Sequence, residues 1–235
     1  MSELNTRRVV LIQPPIRDFY LTRKRTMPHG LACLAAALQA QGFEVQILDA
    51  LATSRSRPRS WPPEMGYLAH HFGRPDCSPF GLFNRYHHFG LSYGRIGRLA
   101  ADSGAFLVGI SSLFTPYAGE ALLAAEAVKA QHPGCRVVLG GHHPTAMPEQ
   151  TLSCAAVDFV LRGEGEVSLP LLARALAGQG DLEAVPGLVR RGAQGEILLK
   201  EPAWMEDLDR HPPPASELLN RGFYSSRAGK QAVVV

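Results

Sequence analysis

The sequence lacks the features that mark membrane-spanning, secreted and metal-stapled proteins. Its longest uninterrupted apolar run, residues 31–38, is far below the roughly 18–20 residues that span a bilayer, and the N-terminus has no apolar signal-peptide stretch. The four cysteines, Cys33, Cys77, Cys135 and Cys154, include no close pair and no metal-ligand spacing. We therefore expect a cytoplasmic protein with no transmembrane segment, no disulfide framework and no zinc site.

Charge of one sign is also scarce. The chain has 24 Lys and Arg against 21 Asp and Glu, a net charge of +3, which is too small to indicate a nucleic-acid partner. The excess is uneven, because residues 51–98 hold seven Arg against only Glu64 and Asp76. Any basic surface is therefore local.

Motifs for phosphate binding and for nucleophilic catalysis are missing as well. Gln13-Pro14-Pro15 follows the first predicted strand, where a dinucleotide-binding fold carries G-x-G-x-x-G, and no Walker loop occurs. These absences argue against NAD and nucleoside triphosphates. No Ser/His/Asp or Cys/His arrangement is evident, and Glu164 and Glu166 fit a helix dipole better than acid–base catalysis. The sequence thus predicts no catalytic residue and no metal ligand.

Three short apolar segments are the main positive signal. Residues 106–110, 135–139 and 157–161 are spaced by helix-length stretches, and each stops at small or polar residues. The stops are Ser111-Ser112, Gly140-Gly141 and Arg162-Gly163. Such segments are typical of parallel strands buried on both faces, and ligands bind outside the carboxyl ends of those strands. We predict that the three stops form one site along one rim.

The N-terminal part predicts a βαβ unit. A strand over 8–13 is followed by a helix that opens at Pro28-His29-Gly30 and ends at Gly42, and then by a strand over 43–48. Further helices are predicted over 95–102, 116–131 and 167–177. The predicted fold class is α/β, a doubly wound, flavodoxin-like or Rossmann-like sheet of five parallel strands with a C-terminal β-hairpin and linker.

The predicted domain organisation has two parts. Residues 1–180 form the α/β domain, with an insertion over 50–104 that is either a solvated loop around a small aromatic core or a lid and docking face. Residues 181–235 form a β-hairpin and a Pro-rich linker with His-Pro-Pro-Pro at 211–214. The apolar strand expected at 231–235 suggests a chain cut from a longer protein.

Several motifs resemble one family. Ser111-x-Leu113, followed after 26 residues by Gly140-Gly141, resembles the S-x-L…GG signature of cobalamin-binding domains. The Pro-His-Gly-Leu at 28–31, the Gly-Gly-His-His-Pro-Thr at 140–145 and the Arg-Gly-Glu-Gly-Glu at 162–166 are similar to the N-terminal domain of cobalamin-dependent radical SAM proteins. The hairpin and residues 209–218 resemble the connection to their catalytic domain.

The resemblance implies a cofactor, partners and a reaction. The nucleotide tail of a base-off cobalamin would slide down beside the sheet. A radical SAM domain would follow on the same polypeptide, with a 4Fe-4S cluster and S-adenosylmethionine. In the parent enzyme, methylcobalamin would give a methyl group to a substrate radical, or cobalamin would assist another radical step such as ring formation.

The resemblance and the predicted rim together give a set of candidate cofactor-binding residues. They are Gln13, Pro14, Pro15, His29, Gly30, Ser111, Ser112, Leu113, Gly140, Gly141, His142, His143, Arg162, Gly163, Glu164 and Gly165. The D-x-H-x-x-G motif that supplies a lower cobalt ligand in other cobalamin modules is absent, which leaves His29 either as that ligand or as a loop residue. His142 and His143 are candidates for hydrogen bonds to corrin amides.

Two other classes of function stay open at this point. A flavodoxin-like regulatory or docking module without cobalamin is weakened because no acidic pocket follows the first strand. A small-molecule transferase would need an acidic pair that the sequence does not show. Within the family, the domain would serve as a docking module if it had lost its cofactor.

Overall fold

The structure is a computed structural model that describes residues 5–19, 27–68, 70, 85–202, 204–205 and 207–225. The strand predicted at 231–235 and the middle of the 50–104 insertion, residues 71–84, lie outside this part of the chain. No helix within the described ranges is long and apolar enough to cross a membrane.

The strands and helices alternate along most of the chain. The strands are β1 (Asn5–Gln13), β2 (Ile16–Asp18), β3 (Glu44–Asp49), β4 (Ser56–Pro58), β5 (His87–Phe89), β6 (Ala105–Ser111), β7 (Arg136–Gly140), β8 (Phe159–Leu161), β9 (Leu188–Arg191) and β10 (Ile197–Leu199). The helices are α1 (His29–Ala40), α2 (Tyr93–Ser103), α3 (Ala118–Gln131), α4 (His142–Ala146), α5 (Pro148–Leu152), α6 (Gly165–Leu176) and α7 (Arg221–Tyr224).

A seven-stranded sheet forms the centre, with the strand order β10-β9-β8-β7-β6-β1-β3. The five strands from β8 to β3 are parallel, which confirms the predicted sheet. The predicted hairpin is present as β9 and β10, and it joins the same sheet because β9 pairs antiparallel with β8. The hairpin therefore extends the edge of the sheet.

Helices cover both faces of the sheet, and alternate residues of each strand enter different cores. On one face Val9 and Leu11 of β1 pack with α1 and α6, which contribute Leu38 and Leu172. On the other face, apolar residues of β1, β6 and β7 pack with α2, α3 and α5. Among them are Val10, Val108, Val137, Ile96, Val128 and Leu152. This two-sided burial explains why the strands are continuously apolar in sequence.

A second, three-stranded sheet was not predicted. The short strand β5 pairs antiparallel with both β2 and β4, so the sheet joins the loop after β1 to the 50–104 insertion. Its own core contains Ile16, Leu51 and Phe89. Strands of three residues carry no usable periodicity, which is why the sequence did not show this sheet.

A buried polar network ties the small sheet to the helical layer. Glu120, in the first turn of α3, is 5% exposed and pairs with Arg17 of β2 at 2.5 Å between Oε1 and Nε. Tyr93 of α2 donates its hydroxyl to the other Glu120 oxygen, and Tyr117 donates to Asp18 of β2. Burial, and then the hydrogen bond to Glu120, raise the pKa of Tyr93. The carboxylate is thus satisfied on both oxygens, as a buried charge requires.

The closest helix contact predicts a difference between two glycines of α2. A Cβ on Gly97 would overlap the carbonyl oxygen of Ala127 in α3, whereas a Cβ on Gly94 has nothing within 4 Å. We expect Gly97→Ala to lower the free energy of unfolding by about 1–3 kcal/mol, because the two helix backbones must separate. Urea denaturation followed by circular dichroism measures this.

Gly94→Ala is the matched control on the same helix. It should leave stability unchanged or raise it by up to about 1 kcal/mol, because alanine is the better helix former. Equal stability of the two variants would contradict the close contact between α2 and α3.

Candidate functional site

The strand order of the main sheet reverses at one point. The chain goes from β1 to β3 on one side and then returns to β6 on the other side of β1. The connections that leave the carboxyl ends of β1 and β6 therefore run in opposite directions. This is a topological switch point, where open α/β sheets bind ligands. The residues at these two ends are Gln13-Pro14 and Ser111-Ser112.

A cavity of about 850 Å³ opens at this switch point. Its upper part is the rim, formed by the loops after β1, β6 and β7. Its lower part, which we call the slot, runs down between the sheet and the two helices α1 and α6. The slot walls are Leu11, Gly109 and Val138 on the sheet side and Leu34, Gly165 and Leu169 on the helix side.

Most of the predicted site residues lie on the wall of this cavity. They are Gln13, Pro14, His29, Gly30, Ser111, Ser112, Leu113, Gly140, Gly141, His142, Gly163, Glu164 and Gly165. His29 is exposed at the first turn of α1, and His142 is exposed at the start of α4. The fold thus brings residues from five separate loops to one rim.

Three of the predicted residues lie outside the cavity wall. Pro15 packs next to the small sheet. A Cβ added to Gly90 would lie 3.0 Å from the Cβ of Pro15. The backbone of Arg162 donates to the carbonyl of Gly187 at 2.9 Å, which ties β8 to the hairpin. His143 is only 4% exposed, beneath the rim.

His143 supports the rim from below. Its backbone N–H donates to the carbonyl of Ser112 at 3.2 Å, and its ring Nδ1 lies 3.3 Å from Thr115 Oγ1. These contacts connect the loop after β7 to the loop after β6. Burial lowers the pKa of His143, so the folded protein favours the neutral ring.

The two adjacent glycines of the rim have different physical roles. Gly141 has φ +117°, and a Cβ there would lie 2.6 Å from the carbonyl oxygen of Ser112. Glycine is therefore required at 141 by the backbone itself. Gly140 lies at the end of β7 on the slot face, and a Cβ there would meet only the Leu161 carbonyl oxygen at 3.8 Å. The bare backbone at 140 thus leaves space in the cavity.

The family resemblance placed the cofactor's tail beside the sheet, but sequence reasoning did not identify the residues that line the slot. Gly109 lies in the middle of β6 on the same face as Gly140, and a Cβ there would come within 2.9 Å of a terminal carbon of Leu11. Glycine inside a strand marks a close approach to another group, so this signal was available. The apolar slot residues Leu11, Leu34, Val138 and Leu169 gave no such signal, because apolar periodicity does not separate a core from a cavity wall.

Several properties of the cavity fit a large organic cofactor. The slot is apolar, and its sheet side carries the side chains of Leu11 and Val138 but none at 109 and 140. At the rim, Ser112 is 4% exposed and its Oγ has no hydrogen-bond partner in the described protein. A buried hydroxyl is normally paired, so this one is available to a ligand amide or phosphate. Among the described residues, no group of three His, Cys, Asp or Glu is placed to hold a metal ion.

Comparison with known families decides the class of the site. Residues 94–173 match the family described as B12 binding domain, a range that runs from α2 through most of α6 and includes the S-x-L and Gly-Gly elements. This part of the chain therefore resembles a B12-binding domain. The predicted cobalamin-binding family is confirmed, and a flavodoxin-like module without cobalamin is disfavoured.

Known proteins that resemble the chain are much longer than it is. It is 28% identical over 194 residues to cytidylyl-2-hydroxyethylphosphonate methyltransferase of Streptomyces wedmorensis, which covers 82% of the chain and 33% of the relative. It is 35% identical over 104 residues to the anaerobic magnesium-protoporphyrin IX monomethyl ester cyclase of a Synechocystis strain, covering 44% and 21%. The chain thus spans a third or less of these relatives.

A solved structure has the same fold. The cobalamin-dependent S-adenosylmethionine radical enzyme OxsB, determined with aqua-cobalamin and S-adenosylmethionine bound, superposes with a TM-score of 0.63 at 16% identity. The match covers 90% of this chain and 24% of OxsB. The chain therefore has the fold of one portion of that larger enzyme.

The buried His143 predicts a pH dependence of stability. Because its folded-state pKa is lowered, the unfolded chain binds a proton more readily, and stability is lost as the pH falls from about 7 through the ordinary histidine range. We expect His143→Gln to lose less stability than wild type between pH 7.5 and 5.5 in urea denaturation. Some loss stays, because burial also lowers the pKa of His88.

His142→Gln, at the exposed neighbouring position, is the control. It should follow the wild-type pH profile. If His143→Gln also followed the wild-type profile, the buried neutral ring would not be a source of the pH dependence.

Proposed function

We propose that this chain is the cobalamin-binding portion of a radical SAM enzyme that transfers a methyl group or carries out another radical-mediated step such as ring closure. The observation that carries the proposal is the slot beside the sheet, which lies directly beneath the rim and into which Gly140 projects no side chain. A cofactor with a flat ring and a long tail matches a cavity with these two parts.

The two parts of the cavity receive different parts of the cofactor in this proposal. The nucleotide tail enters the slot between Gly109 and Leu169, and the corrin ring lies over the rim. Ser112 Oγ donates to a polar group of the bound cofactor, and Leu113 and His142 flank the ring. His143 acts indirectly, because it holds the Ser112 carbonyl in place.

The path of the C-terminal segment supports a second domain above the rim. After the hairpin, the Ala215 N–H donates to the carbonyl of Ala32 in α1 at 3.0 Å. The Tyr224 hydroxyl then donates to Asp49 Oδ2 at 2.7 Å, at the carboxyl end of β3. The last described residues thus lie at the edge of the sheet that carries the rim.

The relatives' names support the proposed class of reaction. Two are a methyltransferase and a cyclase, and the enzyme OxsB is a cobalamin-dependent radical enzyme that uses S-adenosylmethionine. Bound cobalamin supplies cobalt chemistry, either methyl transfer or assistance to another radical step. This chain contributes placement: it holds the ring and keeps the tail out of water. A radical SAM domain with a 4Fe-4S cluster on the same polypeptide, the division at residue 180 and a cytoplasmic location belong to the proposal.

Gly140→Val tests the slot. The strand backbone accepts valine there, but the side chain projects into the space that the tail needs. We expect the wild-type chain to bind about one equivalent of hydroxocobalamin, with the absorbance shift of a base-off cofactor. The valine variant should lose at least 100-fold in affinity while its thermal unfolding midpoint changes little.

Two controls make this experiment decisive. Gly140→Ala should lose less affinity, because its side chain is smaller, and Gly119→Ala, in the exposed first turn of α3, should bind as wild type. Wild-type affinity in Gly140→Val would remove the slot as the tail site. No binding by the wild-type chain would refute the proposed function itself.

His29→Ala tests the cobalt ligand. His29 lines the cavity but is exposed at the start of α1, and we propose that no protein nitrogen binds cobalt. The absorbance spectrum of the bound cobalamin should be the same in the variant and in wild type. A changed spectrum in His29→Ala, with binding retained, would make His29 the lower ligand.

A further inference from the structure

Two large aromatic side chains line the cavity and are nevertheless largely exposed, Phe114 in the loop after β6 and Trp204. Trp204 is 65% exposed, although it belongs to the cavity wall. It comes from the segment between the hairpin and Ala215, which contacts α1, and so lies outside the sheet and the helices that build much of the wall. Tryptophan has a large apolar surface with a single N–H donor, so an exposed position at a cavity mouth indicates a surface that a ligand covers.

Trp204 is held next to the slot by its neighbour in sequence. The backbone N–H of Met205 donates to a carboxylate oxygen of Glu164, which lies just before α6 and also lines the cavity. The next residue, Gly165, packs so closely on α1 that a Cβ there would lie 2.7 Å from Leu34 Cδ2. Leu34 and Gly165 belong to the helix side of the slot. The contact with Glu164 therefore places Trp204 at the top of that side.

We propose that Trp204 packs against the nucleotide tail of the bound cobalamin and closes the slot over it. This inference rests on the proposed function. The corrin ring is broader than the gap between a sheet and its covering helices, so the ring stays over the rim. Only the tail enters the slot and contacts its helix side. A flat aromatic base entering an apolar slot gains a stacking surface from an indole at the entrance.

The inference also gives a role to Glu164. Its carboxylate positions the Trp204 segment through the Met205 N–H and does not itself contact the reacting centre. Because Glu164 precedes the first turn of α6, the helix dipole favours its negative charge there. The Arg-Gly-Glu-Gly-Glu motif therefore shapes the site in part through the linker that it holds.

The test compares two ligands that differ only in the tail. Cobinamide keeps the corrin ring but lacks the nucleotide, so dissociation constants for hydroxocobalamin and for cobinamide separate contacts to the tail from contacts to the ring. They are measured by absorbance titration for wild type, Trp204→Ala and Trp204→Phe. Thermal unfolding of each variant checks the fold, which should be retained because the side chain is exposed.

We expect Trp204→Ala to bind hydroxocobalamin about tenfold more weakly than wild type and cobinamide equally well. Trp204→Phe should recover most of the loss, because a flat aromatic ring is kept. Trp61→Ala is the matched control: Trp61 is half-buried against Phe19, with ring centroids 4.7 Å apart, and does not line the cavity. It should bind both ligands as wild type.

Two outcomes would overturn the inference without touching the proposed function. If Trp204→Ala bound hydroxocobalamin as tightly as wild type, Trp204 would make no useful contact. If it lost equal affinity for both ligands, the contact would be to the ring and the tail assignment would be wrong. A wild-type chain that binds neither ligand would instead refute the proposed function.

Discussion

The slot depends on one constraint, which is that two neighbouring strands carry no side chain at the place where they face α1 and α6. A parallel sheet normally fills the space beneath its covering helices, because protein interiors are close-packed. Gly109 and Gly140 interrupt that filling on one face only. The opposite face, with Val108, Leu139 and Val128, is packed without interruption. The domain therefore keeps a continuous core on one side of the sheet while the other side has a cavity.

The cavity removes packing contacts from one face of the sheet, and contacts elsewhere in the domain offset that loss. On the packed face, α2 and α3 approach until Gly97 touches the backbone of Ala127. The buried Glu120 then joins α3 to the small sheet through Arg17. Both contacts strengthen the side of the molecule that has no cavity. On the open side, the C-terminal segment returns to α1 and β3 and covers surface that the helices leave free.

The sequence predicted the parallel strands, the βαβ unit, the hairpin and the rim, because continuous apolar runs and their glycine or serine stops follow directly from the physics of a buried sheet. The predicted helix starts were less accurate. The helix predicted to begin at residue 167 begins at Gly165, with Glu164 as its N-cap residue. The sequence did not predict the small sheet or the residues that line the slot, since three-residue strands have no period and cavity-lining leucines look like core leucines. Trp204 was out of reach for another reason, because a linker residue joins a site only through the tertiary path of the chain.

The two glycines at 140 and 141 bear on how such domains change during evolution. Position 141 must stay glycine for the backbone whether or not a ligand is bound, so its retention in a descendant says nothing about the cofactor. Position 140 is held empty only by the need for space, whereas an added Cβ at 109 would also meet the side chain of Leu11. A lineage that gave up the cofactor would be free to refill position 140 with alanine or valine and gain packing energy. The side chain at position 140 therefore records whether a domain of this shape still carries its ligand.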